Sequence, residues 1–244
     1  MALKWTLFFA GFWMLMALVN SQLSEDQKRQ ILQSHNIYRS QVNPPAADMI
    51  SLVWGEELSL VAKAYSAKCI WDHNPDLQKN EMGENLFIST GAFKLEKALS
   101  DWFEERTDYD YDNNTCPEDK MCGHYTQMVW AKTTRVGCEV HFCQTVESLD
   151  FKNASLLVCN YSPAGNVIGL KPYEKGAACS KCPEKLKDCV LDACADTERH
   201  ISPSVDTLAT TWSESPSTLE EAGSGSRLAA PLLLTGLLSF LHWI

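Results

Sequence analysis

Residues 122–130, Cys-Gly-His-Tyr-Thr-Gln-Met-Val-Trp, place His124 among polar side chains in an aromatic, strand-like run. Polar residues at fixed places in such a run have defined roles, because burying one unpaired costs roughly 1–3 kcal/mol. A second block, Leu-Leu-Val-Cys-Asn-Tyr-Ser-Pro-Ala-Gly-Asn at 156–166, follows it. His73, Glu84 within Met-Gly-Glu-Asn-Leu, and Glu105 within Trp-Phe-Glu-Glu add one more imidazole and two carboxylates. Imidazoles ligate metals, and a metal-bound water beside a His/Glu pair hydrolyses peptides or esters. Local spacing does not support that chemistry. The sequence contains no H-E-x-x-H, no G-x-S-x-G elbow and no Cys–His nucleophile pair. Thr126 offers a hydroxyl beside His124, but a place on a strand explains it more simply. Taken alone, each histidine reads as a hydrogen-bonded structural residue.

The elements that must position these groups are legible from periodicity. Ser24 with Gln27 forms a capping box ahead of Ile31, His35, Tyr38 and Val42, a helical stripe that Asn43-Pro44-Pro45 stops. Leu58, Val61, Ala62, Tyr65 and Cys69 mark a second helix, and Leu95, Ala98, Leu99 and Trp102 a third. Glu105, three positions after Trp102, shares that inward stripe while Glu104 points away. A carboxylate on an apolar face needs a partner; the simpler reading is a helix end where Glu105 has reached solvent. Val136, Cys138, Val140 and Phe142 alternate as a half-buried strand, with Thr126–Ala131 and Ala154–Tyr161 as its neighbours. Helices first and strands later give an α+β layered domain with an antiparallel sheet.

Compartment follows from the ends and the cysteines. Residues 1–21 carry Lys4 and an apolar run from Trp5 to Val19, too short for a comfortable span, which reads as a signal peptide rather than an uncleaved anchor. The ten cysteines all follow it, an even number that reads as five disulfides in an exported chain. Asn113, Asn153 and Asn160 each open an N-glycosylation sequon; Asn160 sits on a strand expected to be buried, so sugar is expected at Asn113 and Asn153 before it. Residues 197–226 are Ser/Thr-rich and nearly free of aromatics, a solvated, disordered stalk. The tail at 227–244 is apolar from Leu228 to Ile244 and follows the small residues Ala222 to Gly225, the order of a GPI-attachment signal, with a single transmembrane span as the alternative. The net charge is −10 and no basic cluster appears, which argues against nucleic acid as a partner.

The two blocks resemble, along their full length, the paired signatures of the CAP family, which groups cysteine-rich secretory, antigen-five and pathogenesis-related proteins. Asn-Pro-Pro-Ala-Ala-Asp-Met at 43–49 and the Cys-Asn-Tyr block look most like its vertebrate glioma-pathogenesis-related and peptidase-inhibitor branch. The resemblance covers roughly 27–195. It implies a three-layer α-β-α sandwich over 22–170 and a small disulfide-rich hinge over 171–196. It also implies the pairs Cys69–Cys143 and Cys138–Cys159, leaving Cys116–Cys122, with crossed pairing Cys179–Cys189 and Cys182–Cys194 in the hinge. A four-cysteine zinc knuckle or a redox C-x-x-C are the alternatives for that last set, and an oxidising compartment argues against both. His73, Glu84, Glu105 and His124 fall on the family's central-cavity tetrad, which implies His73 and His124 as divalent-metal ligands, with Zn2+ as the candidate ion, and the glutamates as cavity carboxylates. The expectation is a non-catalytic extracellular binding module, secreted or surface-anchored, with an unidentified protein partner and a peptidase-inhibitor-like label that no reactive-site loop supports. Two alternatives stand beside it: binding of a sterol or fatty acid near the Asp108–Cys122 loop, which otherwise reads as a solvated loop with two tyrosines, and metal-dependent hydrolysis.

Overall fold

The computed structural model describes residues 22–150 and 152–196; the expected signal peptide, stalk and tail lie outside them. Helix α1 (Glu25–Ser40) starts at the anticipated box. Ser24 Oγ accepts from Gln27 N (3.2 Å) while Gln27 Oε1 accepts from Ser24 N (2.9 Å), so two otherwise orphaned N–H groups are satisfied. There follow β1 (Val53–Trp54), α2 (Glu56–Ser66), β2 (Gly83–Thr90), α3 (Leu95–Glu104), a 3-10 turn (Glu105–Thr107), α4 (Gly123–Met128), β3 (Arg135–Thr145) and β4 (Lys152–Ser162). A short hairpin, β5 (Asp188–Val190) and β6 (Ala193–Ala195), closes the described chain.

The main sheet has the order β1-β3-β4-β2. Its three long strands pair antiparallel, as expected. The two-residue β1 joins β3 in parallel, which makes the sheet mixed; the chain between them crosses the fold, and only such a connection permits parallel pairing. Strand β4 explains the three layers, because it is buried on both faces. Leu157, Cys159 and Tyr161 point into one core with Ile31, Leu99, Trp102 and Met128 from α1, α3 and α4. Ala154, Leu156 and Val158 alternate into a second core with Ala62 and Tyr65 of α2. Close approach of α2 rests on Gly137 of β3, where a Cβ would collide with Gly55 O and Ser59 N.

Several local expectations change. Thr126–Ala131 is not a strand: residues 123–128 are helical, with Tyr125, Met128 and Val129 on one buried stripe. Short apolar runs fit either period, and here tertiary capping decides. Cys69 lies beyond α2, at φ +55°, where the chain turns away. The 108–122 loop is mostly exposed, as its solvated reading has it, but one of its two tyrosines anchors it: Tyr111 is buried, stacks on Tyr173 at 4.8 Å and donates to its carbonyl. Asn160 has no exposed surface and donates Nδ2 to Leu58 O, so the fold excludes a glycan there. Asn113 and Asn153 are exposed.

All five disulfides pair as the resemblance implies: Cys69–Cys143, Cys116–Cys122, Cys138–Cys159, Cys179–Cys189 and Cys182–Cys194. In the chain-entropy picture the largest loop, with a separation of 74 residues, is worth about 4 kcal/mol. The cysteine-rich segment is stitched to the loop at 45–51: Gly176 N donates to Pro45 O, Lys181 N to Ala47 O and Cys194 N to Met49 O, while Ser51 N donates to Cys194 O.

Candidate functional site

Strand β2 lies at one edge of the sheet, and the four candidate side chains form two pairs, His73 with Glu84 of this strand and His124 with Glu105. After α2 the chain turns through Asp72, whose Oδ1 accepts from His73 N at 2.7 Å. His73 Nδ1 then bonds Glu84 Oε1 at 2.9 Å, and Asn74 N donates to the same oxygen at 3.0 Å. The Glu84 side chain is wholly buried, whereas His73 keeps 60% of its side-chain surface in solvent. Hydrogen bonding to Glu84 raises the His73 pKa, partly opposed by burial and helped by the charges of Glu84 and Asp72. Glu84 Oε2 is buried without a hydrogen-bond partner among the described residues. Gly83 precedes this carboxylate because a Cβ would collide with Gln127 Oε1, itself fixed by Gly165 N.

The second pair is more enclosed. Glu105 follows α3, and its carboxylate turns inward to accept from His124 N (2.9 Å), Tyr125 N (3.1 Å) and His124 Nδ1 (2.6 Å). It therefore caps α4 from a distant part of the chain, satisfying first-turn N–H groups that Cys122 leaves without a side-chain cap. The reading of Glu105 as a solvated helix end is overturned by those three bonds. The His124 ring stacks on Trp102 with centroids 5.8 Å apart, and Trp102 Nε1 donates to Leu86 O of β2.

Thr126 serves the fold. Its hydroxyl bonds Asn166 Oδ1 at 2.7 Å, and Asn166 Nδ2 donates to Gly123 O. These contacts and the Gln127–Gly165 bond join the two sequence blocks to each other.

Both rings are thus held through Nδ1 by a carboxylate. An Nδ1–H donated to a carboxylate leaves Nε2 with its lone pair free, the arrangement in which an outer carboxylate orients a metal-ligating imidazole. No hydrogen bond from a described protein group engages either Nε2. An imidazole presenting a free Nε2 has the chemistry of a Zn2+ ligand, a metal that leaves further positions to water. Among the described residues, the only group in which three ligand atoms lie within 4.8 Å of one another is Cys179, Cys182 and Cys194. Their sulfurs are all in disulfides, which rules out a zinc knuckle in the oxidised protein.

Periodicity sets His35 on the inward stripe without naming its partners, and it misses Arg39 and Asn85. Arg39, one turn beyond His35 on the inward stripe, is 1% exposed and bonds no carboxylate among the described residues. It donates instead to the carbonyls of Ile50, Met128, Trp130, Ala131 and Thr133, and burial lowers its pKa to about 9. His35 is fully buried between Ile31 O and the Tyr161 hydroxyl, and burial takes its pKa down to about 4. Asn85 donates to both His124 O and Tyr161 OH. A basic or amide side chain on an apolar stripe is the available signal.

Residues 32–161, more than half of the chain, match the CAP family, the cysteine-rich secretory protein family. The chain belongs to the CAP family. It is similar to peptidase inhibitor 16 of Mus musculus, 48% identical over 162 residues that cover 66% of this chain and 32% of that protein. It is also similar to peptidase inhibitor 15 of Homo sapiens, 41% identical over 172 residues, 66% of this chain and 67% of that protein. The chain therefore spans about a third of the peptidase inhibitor 16 relatives. Among solved CAP structures, Na-ASP-1 is 26% identical with a TM-score of 0.60, covering 72% of this chain and 48% of that one. NaASP2 with Zn2+ is 30% identical with a TM-score of 0.55, covering 72% of this chain and 98% of that one.

Proposed function

We propose that this CAP domain is a non-catalytic extracellular binding module whose His73 and His124 take a divalent cation, Zn2+ by preference, between them. The observation that carries this reading is the carboxylate on each Nδ1, which orients both rings and leaves both Nε2 atoms unengaged. A related fold solved with Zn2+ supports the choice of ion. When bound, the ion supplies a Lewis-acidic centre with positions open to water or to a partner's oxygen. Glu105 and Glu84 hold the imidazoles in one tautomer, and Trp102 limits ring rotation of His124. Five disulfides and exposed sequons at Asn113 and Asn153 support an oxidising, extracellular setting. Inhibition of a peptidase, the property in the relatives' names, is a proposal for this chain in the same sense. Calorimetric titration with Zn2+ tests the metal reading: saturable binding to the wild type is expected, with loss in the His73→Ala/His124→Ala variant. Identical isotherms would reject it.

A second reading is favoured by one feature. The 108–122 loop borders an open cavity of about 470 Å³ lined by Tyr109, Met121, Trp130, Val167 and Leu170 together with polar Asn114, Lys120 and Asn166, within the usual size range of small-ligand sites. Binding of a sterol or fatty acid there is tested by pull-down with Met121→Ser/Leu170→Ser; unchanged capture would clear the cavity of that role. Metal-dependent hydrolysis, the third reading, predicts that Glu84→Gln abolishes whatever turnover the purified domain shows.

A further inference from the structure

The two histidines come from opposite faces of the sheet, yet adjacent residues of β2 hold them. Glu84 takes the His73 ring, and Asn85 Nδ2 donates to the backbone carbonyl of His124 at 3.0 Å. Asn85 is in turn held by the Tyr161 hydroxyl at 3.2 Å, and Tyr161 by His35 Nε2 at 2.9 Å. The proton positions along this chain follow from chemistry. A carbonyl only accepts, so His35 Nδ1 donates to Ile31 O (2.8 Å) and the neutral ring accepts at Nε2. Tyr161 therefore donates to His35, and its oxygen accepts from Asn85. By the same logic Asn85 must present its NH2 to His124 O. His35 and Tyr161 have no exposed surface and Asn85 has 1%, so water does not compete with these bonds.

With Asn85 included, every polar handle of His124 except Nε2 is fixed: N–H and Nδ1 by Glu105, C=O by Asn85. A histidine needed only for packing does not require its backbone and ring to be held by two separate elements. We infer that Asn85 and Tyr161 are positioning residues that set the spacing between His73 and His124 and so tune their shared grip on a divalent cation. The inference rests on the metal reading above and extends it to residues that do not touch the ion. Tyr161 connects Asn85 to α1, so the position of α4 relative to β2 is referred to the rigid core rather than to the loop at 108–122.

The test uses the full purified protein with Zn2+ alone, by calorimetry, and with Co2+, whose visible absorption reports ligand geometry. Asn85→Ala should weaken Zn2+ binding by about 10-fold or more, in the range of substitutions just outside the ligand set. Tyr161→Phe, which keeps the ring and removes only the hydroxyl, should weaken it several-fold. Both should change the Co2+ spectrum at temperatures where the protein is fully folded. Leu156→Ala, which opens the core on the α2 side, lowers stability without touching the network; it should leave affinity and spectrum unchanged. If wild type and both network variants bind equally with the same spectrum, the positioning role is overturned while the metal site stands. If the wild type binds no metal, the metal reading fails and takes this inference with it. Should Asn85→Ala fail to fold, Tyr161→Phe alone decides.

Discussion

The two His–Glu pairs look alike in composition and differ in how the fold holds them. His124 and Glu105 keep 18% and 14% of their side-chain surface, and one carboxylate secures a ring nitrogen and two backbone N–H groups. His73 is largely in solvent while its partner Glu84 is wholly buried, with one oxygen unpartnered. The first pair is built into the architecture as a helix cap; the second is a ring tethered to a buried charge. The difference implies that Glu105 serves both stability and site geometry, whereas His73 can be replaced at little structural cost.

The strongest way to break that comparison is to remove the two carboxylates. Glu105→Ala deletes three charge-assisted bonds and should cost about 3–4 kcal/mol, while Glu84→Ala should cost only about 1–2 kcal/mol because it also removes an unpartnered buried oxygen. Urea denaturation would measure both, and a larger loss for Glu84→Ala would reverse the proposed roles. His35, enclosed on every side, gives the next largest effect. Its folded pKa of about 4 lies below the ordinary value of 6.5, so the unfolded state takes up the proton first. Stability should be full above about pH 6.5 and fall by about 3 kcal/mol as pH drops to about 4. A His35→Asn variant should show a flatter profile over that window; an unaltered slope would place the acid sensitivity elsewhere.

Smaller effects separate the histidines themselves. His124→Ala should cost about 2 kcal/mol through the lost Glu105 bond and Trp102 stacking, and His73→Ala less than about 1 kcal/mol, since exposed pairs contribute little. Equal losses would argue that exposure does not distinguish the pairs. The least effect should come from the titration of His73. Its raised pKa means that the pair's small contribution is fully present below about pH 6.5 and fades as pH rises through the folded value. NMR titration should find a midpoint above 6.5 in the wild type, and Glu84→Gln should bring it down. A midpoint that ignores Glu84→Gln would mean that the bond at Nδ1 does not form in solution.

Much of this is legible in residue order, and the exceptions have physical causes. Capping chemistry at Ser24 and the alternation along β3 and β4 are local, so they can be read without contacts. Periodicity misassigns the 123–128 segment because its apolar spacing suits strand and helix alike, and the decisive group, Glu105, lies 19 residues before His124. It sets Glu105 on the inward stripe, but the solvated-end reading fails for the same reason, since two of the partners are backbone N–H groups that no side-chain pattern advertises. The burial of Arg39 escapes it because the partners there are carbonyl oxygens, which every residue carries.

By itself the sequence determined the family, the layered α+β architecture and the chemical types at the site, because periodicity, turn residues and motif identity are written residue by residue. Only the tertiary structure decided that Glu84 and Asn85, neighbours on one strand, address histidines on opposite faces of the sheet. Alternation of side chains across an edge strand makes that division of labour, and it exists only once the helices on both faces are packed against it.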